Sequence, residues 1–136
     1  MYCIDKRIGS KALILENSKR LGVKPKFIFE EDINNTLNTR NLSSFKKPNR
    51  LVIGGCDKKT KLQIINNLAQ SMSIEDIIVI PIIDIQTIKE LKEELEYKNF
   101  KTNLNLIQTY KSLSIARGIR LEPNNPVFLL KGKKQI

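Results

Sequence analysis

Residues 51–84 read LVIGGCDKKTKLQIINNLAQSMSIEDIIVIPIID, and they decide the fold. Leu51, Val52 and Ile53 form an apolar run that Gly54-Gly55 stops. From Asp57 to Thr60 a segment with helical spacing opens: Leu62, Ile65, Leu68, Ala69 and Met72 recur three or four apart. Ile77-Ile78-Val79-Ile80 follows, β-branched and uncharged. A strand that apolar is expected to be covered on both faces, as a parallel strand in an α/β sheet is. The stretch therefore reads strand, helix, strand, and the rest of the chain must pack on or beside it. Pro81 cannot donate to a ladder, so pairing is expected to end near Ile80.

Downstream, Ile85 to Phe100 predicts a helix with Ile85, Ile88, Leu91 and Leu95 on one face. Lys89-Glu93, Lys92-Glu96 and Glu94-Lys98 are opposite charges four apart on the other, worth ~0.3 kcal/mol each, and mark a solvated face. Asn105 to Leu121 predicts a third helix carrying Leu106, Ile107, Tyr110, Leu113 and Ala116, with Gly118 near its end. Val127 to Leu130 reads as a last strand, and residues 131–136 as a basic tail.

Upstream, Tyr2 to Ile4 and Ala12 to Leu15 predict a hairpin across Asp5 to Ser10, and Phe27 to Phe29 a third strand. Residues 31–50 are polar and rich in Asn, Ser and Thr. They predict an irregular excursion with one helical turn, mobile or functional at that length. The whole is expected to be a single α/β domain, residues 1–136. Its mixed sheet would have three antiparallel N-terminal strands and then βαβα-α-β.

The totals narrow the chemistry. The 136 residues carry 24 Lys and Arg against 14 Asp and Glu, a net charge of +10, which favours acidic partners. There is no His, which removes Ser-His-Asp and Cys-His catalysis and any His-containing metal site. Cys3 and Cys56 alone cannot build a zinc ribbon and are read as small apolar residues of a reducing compartment. Met1-Tyr2-Cys3-Ile4 meets Asp5, Lys6 and Arg7 at once, so no signal peptide is expected. The uncharged run Ile77 to Ile83 is far short of the ~20 residues that span a bilayer. A cytoplasmic chain is expected, with no metal and no cofactor.

Two turns could hold an anion. Gly9 and Ser10 close the turn that Asp5 opens, and a Gly-Ser tip can face a phosphate. Gly54 and Gly55 lie at a strand-to-helix junction, where free N–H groups attract anions. Their spacing matches neither a Walker A loop nor GxGxxG. Asp57 or Thr60 as a helix N-cap explains the same residues. Ser43-Ser44-Phe45-Lys46 matches S-x-x-K but lacks its partner motifs. Basic residues cluster at Lys46, Lys47 and Arg50, at Lys58, Lys59 and Lys61, and at Lys131, Lys133 and Lys134. Aromatics make up 6% of residues and are not interleaved with these clusters, so no stacking platform for single strands is expected.

The opening Ile4-Asp5…Gly9-Ser10-Lys11-Ala12-Leu13-Ile14 resembles that of the actin-like ATPases. Ser114-Ile115-Ala116-Arg117-Gly118-Ile119-Arg120-Leu121 is similar to a segment near the end of pilus assembly proteins of that fold. On these motifs the chain resembles the cytoplasmic actin-like (ribonuclease H-like) domain of a type IV pilus or type II secretion inner-membrane assembly protein, bundle-forming pilus type. The resemblance implies a non-enzymatic docking module that recruits the cytoplasmic assembly ATPase to the inner membrane beside other inner-membrane assembly proteins. Lys46, Lys47, Arg50, Lys58, Lys59 and Lys61 would form the partner surface. Lys131, Lys133 and Lys134 would meet an anionic membrane face. Three residues separate Asp5 from Gly9 where the family has one, and no nucleotide-site residue is carried over. The alternative is a small basic nucleic-acid-binding protein.

Overall fold

The computed structural model describes residues 1–39 and 47–136, with the side chains of residues 37–39 left aside. The chain forms two compact units, Met1–Lys46 and Lys47–Ile136.

The first unit runs β1 (Tyr2–Ile4), α1 (Ser10–Arg20), β2 (Phe27–Phe29) and α2 (Ile33–Thr39). β1 and β2 are parallel, with Tyr2 opposite Phe27, Cys3 opposite Ile28 and Ile4 opposite Phe29. The expected opening of three antiparallel strands is therefore corrected. Parallel neighbours need a crossover, and α1 supplies it. Ala12, Leu13, Leu15, Glu16, Lys19 and Arg20 are strong helix formers. Gly9 starts the helix at φ 84°, a left-handed conformation that suits glycine. Lys19 and Arg20 complement the dipole at its other end. The polar excursion contains α2, two turns rather than one. Lys46 and Ser43-Ser44-Phe45-Lys46 lie outside the described residues.

The second unit runs β3 (Arg50–Val52), α3 (Lys58–Leu68), a 3-10 turn (Ala69–Ser71), β4 (Ile77–Ile82), α4 (Ile85–Tyr97), β5 (Phe100–Ile107), β6 (Tyr110–Ile115), β7 (Gly118–Pro123) and β8 (Val127–Lys134). Its main sheet has the order β3-β4-β8-β5; β3 and β4 are parallel, and β8 is antiparallel to both neighbours. The strand–helix–strand reading of 51–84 and the helix after it hold. β4 alternates, however: Ile78, Ile80 and Ile82 are buried, whereas Ile77, Val79 and Pro81 are half-buried. Pro81 pairs with Leu129 inside the strand. It is tolerated because β3 ends at Val52, opposite Val79, two positions earlier.

The core joins Ile78, Ile80, Ile82 and Leu130 of the sheet to Ile64, Ile65, Ile88, Leu91 and Leu95 of α3 and α4. Gly132 lets α4 come close: a Cβ there would stand 3.3 Å from Leu95 Cδ1 and from Phe100. Asn99, at φ 62°, turns the chain out of α4 into β5.

The expected helix from Asn105 to Leu121 is corrected to the end of β5 and the hairpin β6–β7. Lys111-Ser112-Leu113-Ser114-Ile115 alternates with the period of a strand, and Gly118 opens β7 instead of closing a helix. The basic tail is also corrected, since Lys131, Lys133 and Lys134 belong to β8. No described helix is long and apolar enough to cross a membrane.

Candidate functional site

A carboxylate follows the carboxyl end of each parallel strand, directly or after the turn into the next helix. In the first unit β1 ends at Ile4, and Asp5 follows, its N–H donating to Phe29 O at 3.1 Å. Arg7 wraps the Asp5 carboxylate: its backbone N–H donates to Oδ1 at 2.9 Å, its Nε to both oxygens at 3.0 and 3.1 Å, and its Nη2 to Oδ2 at 2.5 Å. These bonds, the side-chain ones foremost, lower the Asp5 pKa from its usual 3.8 to about 2. Arg7 itself is 76% exposed.

β2 ends at Phe29, and Glu30, Glu31 and Asp32 follow. Glu30 Oε2 accepts from Lys11 N at 3.0 Å. The backbone N–H groups of Lys11 and then Gly9 hold its pKa below the usual range. Gly9 and Ser10, read as an anion site, thus stand at a helix start whose donors face a carboxylate of the same unit. Ser10 is buried, its hydroxyl donating to Asp5 O at 3.3 Å. Asp32 Oδ1 caps α2 through Asn34 N at 2.9 Å. Glu31 Oε1 accepts from the fully buried Thr36 hydroxyl at 2.8 Å.

In the second unit, Gly54 and Gly55 follow β3, and Gly55 adopts φ 69°. The turn delivers Asp57, whose Oδ1 accepts from Thr60 N at 2.7 Å. Of the two candidate N-caps, Asp57 is the one used. The Thr60 backbone N–H and hydroxyl hold the Asp57 pKa below the usual range. Lys61 is buried and donates from Nζ to Cys56 O, bracing the same turn. β4 delivers Asp84, which caps α4: its oxygens accept from Gln86 N at 3.0 Å and from the Thr87 hydroxyl at 2.6 Å. Those two bonds, Thr87 first, also depress its pKa. Lys58 Nζ ties α3 to Glu90 of α4 at 2.8 Å.

A cleft of about 640 Å³ opens between these two ends. Pro81, Ile82 and Ile83 give it an apolar wall. Asp57, Asp84, Glu90, Lys58 and Lys61 give it a mixed polar one. Sequence reasoning found its glycines and lysines and missed Glu90, while Asp84 stands in the sequence only as a carboxylate too far along the central strand from Asp76, by about 25 Å, to pair with it. Glu90 looks like an ordinary residue of a solvated helix face, and the signal for Asp84 was its place just after the end of an apolar parallel strand.

Among the described residues, the basic groups are spread over both ends of the sheet. Lys58 and Lys59 are exposed, Lys58 being ion-paired, and Lys61 is buried. Arg50 is at the opposite end of β3, donating to Asn49 O at 2.6 Å. Lys47 is exposed beside it. Of the β8 lysines, Lys133 meets Glu75 at 2.6 Å. Lys134 donates to Lys98 O at 2.5 Å and lies over the Phe100 ring, and Lys131 is exposed.

No known family model and no curated protein matches the sequence. Solved structures do match in fold. A precorrin-6y C5,15-methyltransferase from Geobacter metallireducens GS-15 superposes with a TM-score of 0.76 at 18% identity, over 98% of this chain and 67% of its own. A precorrin 8W decarboxylase from Methanobacterium thermoautotrophicum gives 0.77 at 20% identity, over 96% and 68%. A SAM-dependent O-methyltransferase from Thermotoga maritima gives 0.62 at 14% identity, over 99% of this chain and half of its own.

The chain therefore has the Rossmann-like α/β fold these proteins share, and this corrects the actin-like assignment. The parallel βαβ opening is the physical reason. With it fall the docking module of a pilus or secretion machine, its assembly ATPase and inner-membrane partners, the non-enzymatic reading and the nucleic-acid-binding alternative.

Proposed function

We propose that this chain carries the cofactor-binding part of a methyltransferase that uses S-adenosylmethionine. The observation that supports it most is the placement of carboxylates in a fold shared with methyltransferases. Asp5, the Glu30–Asp32 run, Asp57 and Asp84 all follow the carboxyl ends of parallel strands or open the helices after them. In open α/β sheets, ligands bind beyond those ends, and an acidic residue there takes ribose hydroxyls.

The residues fit the cofactor. It presents hydroxyl and amine donors and a sulfonium cation, and the first unit presents ionised, acceptor-only groups. Asp5 stays ionised far below neutral pH because of Arg7. Asp5 would hold the ribose hydroxyls in place of the Arg7 guanidinium, which is largely exposed. Bound there, S-adenosylmethionine supplies an activated methyl group on sulfur. The cleft of the second unit has the size of a small-molecule site, within the roughly 300–1,000 Å³ typical of them. Lys61 holds its glycine turn through Cys56 O, and the Lys58–Glu90 pair holds its rim.

Calorimetric titration of S-adenosylmethionine into the chain tests this. Binding is expected, with Asp5→Ala weakening it by about tenfold or more, the loss of one charge-assisted hydrogen-bond acceptor. A folded chain that takes up no cofactor at millimolar concentration would overturn the reading.

A further inference from the structure

Arg7 holds Asp5 from a turn whose main chain is fixed. The Arg7 N–H donates to Asp5 Oδ1 at 2.9 Å, and the N–H of the buried Ser10 donates to Arg7 O at 3.1 Å. The Arg7 side chain is under no such constraint. It is 76% exposed, against 25% for Asp5, and water screens an exposed ion pair so that it adds little to stability. The guanidinium can therefore leave Asp5 while the turn keeps its shape.

A guanidinium that leaves Asp5 needs another acceptor, and the carboxylates after β2 are engaged. Glu30 accepts from the Lys11 N–H at 3.0 Å and Glu31 from the Thr36 hydroxyl at 2.8 Å. Asp32 accepts from the Asn34 N–H at 2.9 Å and has the Lys6 ammonium 3.9 Å away. A ligand carboxylate offers two oxygens that match the planar fork of arginine. S-adenosylmethionine has that group as well as the ribose hydroxyls that Asp5 would take. A nucleoside with ribose alone competes with Arg7 for Asp5 and leaves the guanidinium charged and without its carboxylate.

We propose that Arg7 is a specificity-determining residue of the first unit: it holds Asp5 until ribose hydroxyls take its place, and then holds the ligand's carboxylate. Arg7 is thus a competitor of nucleosides that lack a carboxylate and a partner of one that carries it. The exchange selects a nucleoside with an amino-acid group over a plain one. This inference rests on the cofactor reading above.

The test is calorimetric titration of the whole chain with two ligands, S-adenosylmethionine and methylthioadenosine, a neutral nucleoside thioether without the amino-acid group. Arg7→Ala should weaken S-adenosylmethionine by about tenfold, the loss of a charge-assisted contact, and tighten methylthioadenosine by about threefold, the loss of a competitor. Arg7→Lys, which keeps the charge but not the fork, should recover part of the first loss. Opposite signs are the mark of the exchange. S-adenosylmethionine is a cation at its sulfonium, so an Arg7 that acts only through its charge would make Arg7→Ala tighten this ligand. Two ligands that shift the same way, or that do not shift, overturn the proposal and leave the cofactor reading standing. If the unaltered chain binds neither ligand, the cofactor reading fails and this inference fails with it. The contact itself is read without any ligand, by an NMR titration of the Asp5 carboxyl. Its pKa should be about 2 in the unaltered chain and rise toward 3.8 in Arg7→Ala, held short of it by the main-chain N–H of residue 7. An Asp5 carboxyl that ignores Arg7→Ala equally overturns the proposal.

Discussion

The two units differ in what holds them together. Every buried hydrophobic residue of the described chain, from Ile53 to Leu130, belongs to the second unit. Among the described residues of the first unit, those that are buried are Ser10, Ser18 and Thr36. Ile4, Ile14, Ile28 and Phe29 are half-buried, and other apolar side chains lie open: Ile8 is 98% exposed, Leu21 76% and Leu13 53%. The first unit is held by a three-residue parallel pair, stacked Tyr2, Phe27 and Phe29 rings, and carboxylates bonded to helix starts. Apolar burial contributes about 25 cal/mol per Å², whereas an exposed ion pair contributes at most ~1 kcal/mol. A unit built from the second kind of contact alone does not offset the entropy of ordering its chain.

The strongest way to break this comparison is to separate the units. Residues 47–136 alone are expected to unfold cooperatively on heating, while residues 1–46 alone are expected to give the circular dichroism of a coil. A cooperative transition in the shorter piece would show that the comparison misjudges it. Point substitutions sharpen the contrast on a smaller scale. Leu95 is fully buried beneath Gly132, and Leu95→Ala should destabilise the second unit by about 3 kcal/mol. Leu13→Ala, half-exposed on α1, should stay within about 0.5 kcal/mol. Chemical denaturation of both variants measures the difference, and equal losses would sink the contrast.

Legibility in the sequence followed the same division. The second unit announced itself where apolar periodicity was strong, at Leu51–Ile53, Ile77–Ile80 and the Ile88-Leu91-Leu95 stripe, because a core imposes a pattern on the residues that build it. Ala12 to Leu15 was misread as a strand for lack of such a pattern. Four apolar residues in a row fit a strand or a helix alike, and α1 buries only Ser10 and Ser18. That error turned a parallel βαβ unit into a hairpin and led to the wrong family. Tyr110 to Leu121 was misread because chance three- and four-residue spacings of its apolar residues imitate a helix and outweighed the short alternation from Lys111 to Ile115. Of the site, the glycine turn and Asp57 were visible as a cap. Asp5 was noticed for the wrong partner, and Asp84 acquired meaning only once its strand had parallel neighbours.

The smallest expected effect separates the units by acid. Asp57 and Asp84 have folded pKa values below the ordinary carboxylate range, from the Thr60 and from the Thr87 and Gln86 hydrogen bonds. A depressed folded pKa stabilises fully above the unfolded value near 3.8 and loses that contribution as pH falls through the folded pKa. The second unit should therefore lose melting temperature below about pH 4. Combining Asp57→Asn with Asp84→Asn keeps two good caps but removes the titration, so the melting temperature should become flatter over that range. Asp5 titrates near 2, lower still, yet it belongs to the unit without a buried apolar core. Its protonation should move its own carboxyl resonance in an NMR titration and leave the main unfolding transition in place. A main transition that follows Asp5 instead would mean that the carboxylate-bound unit carries part of the cooperative stability, and the comparison would have to be redrawn.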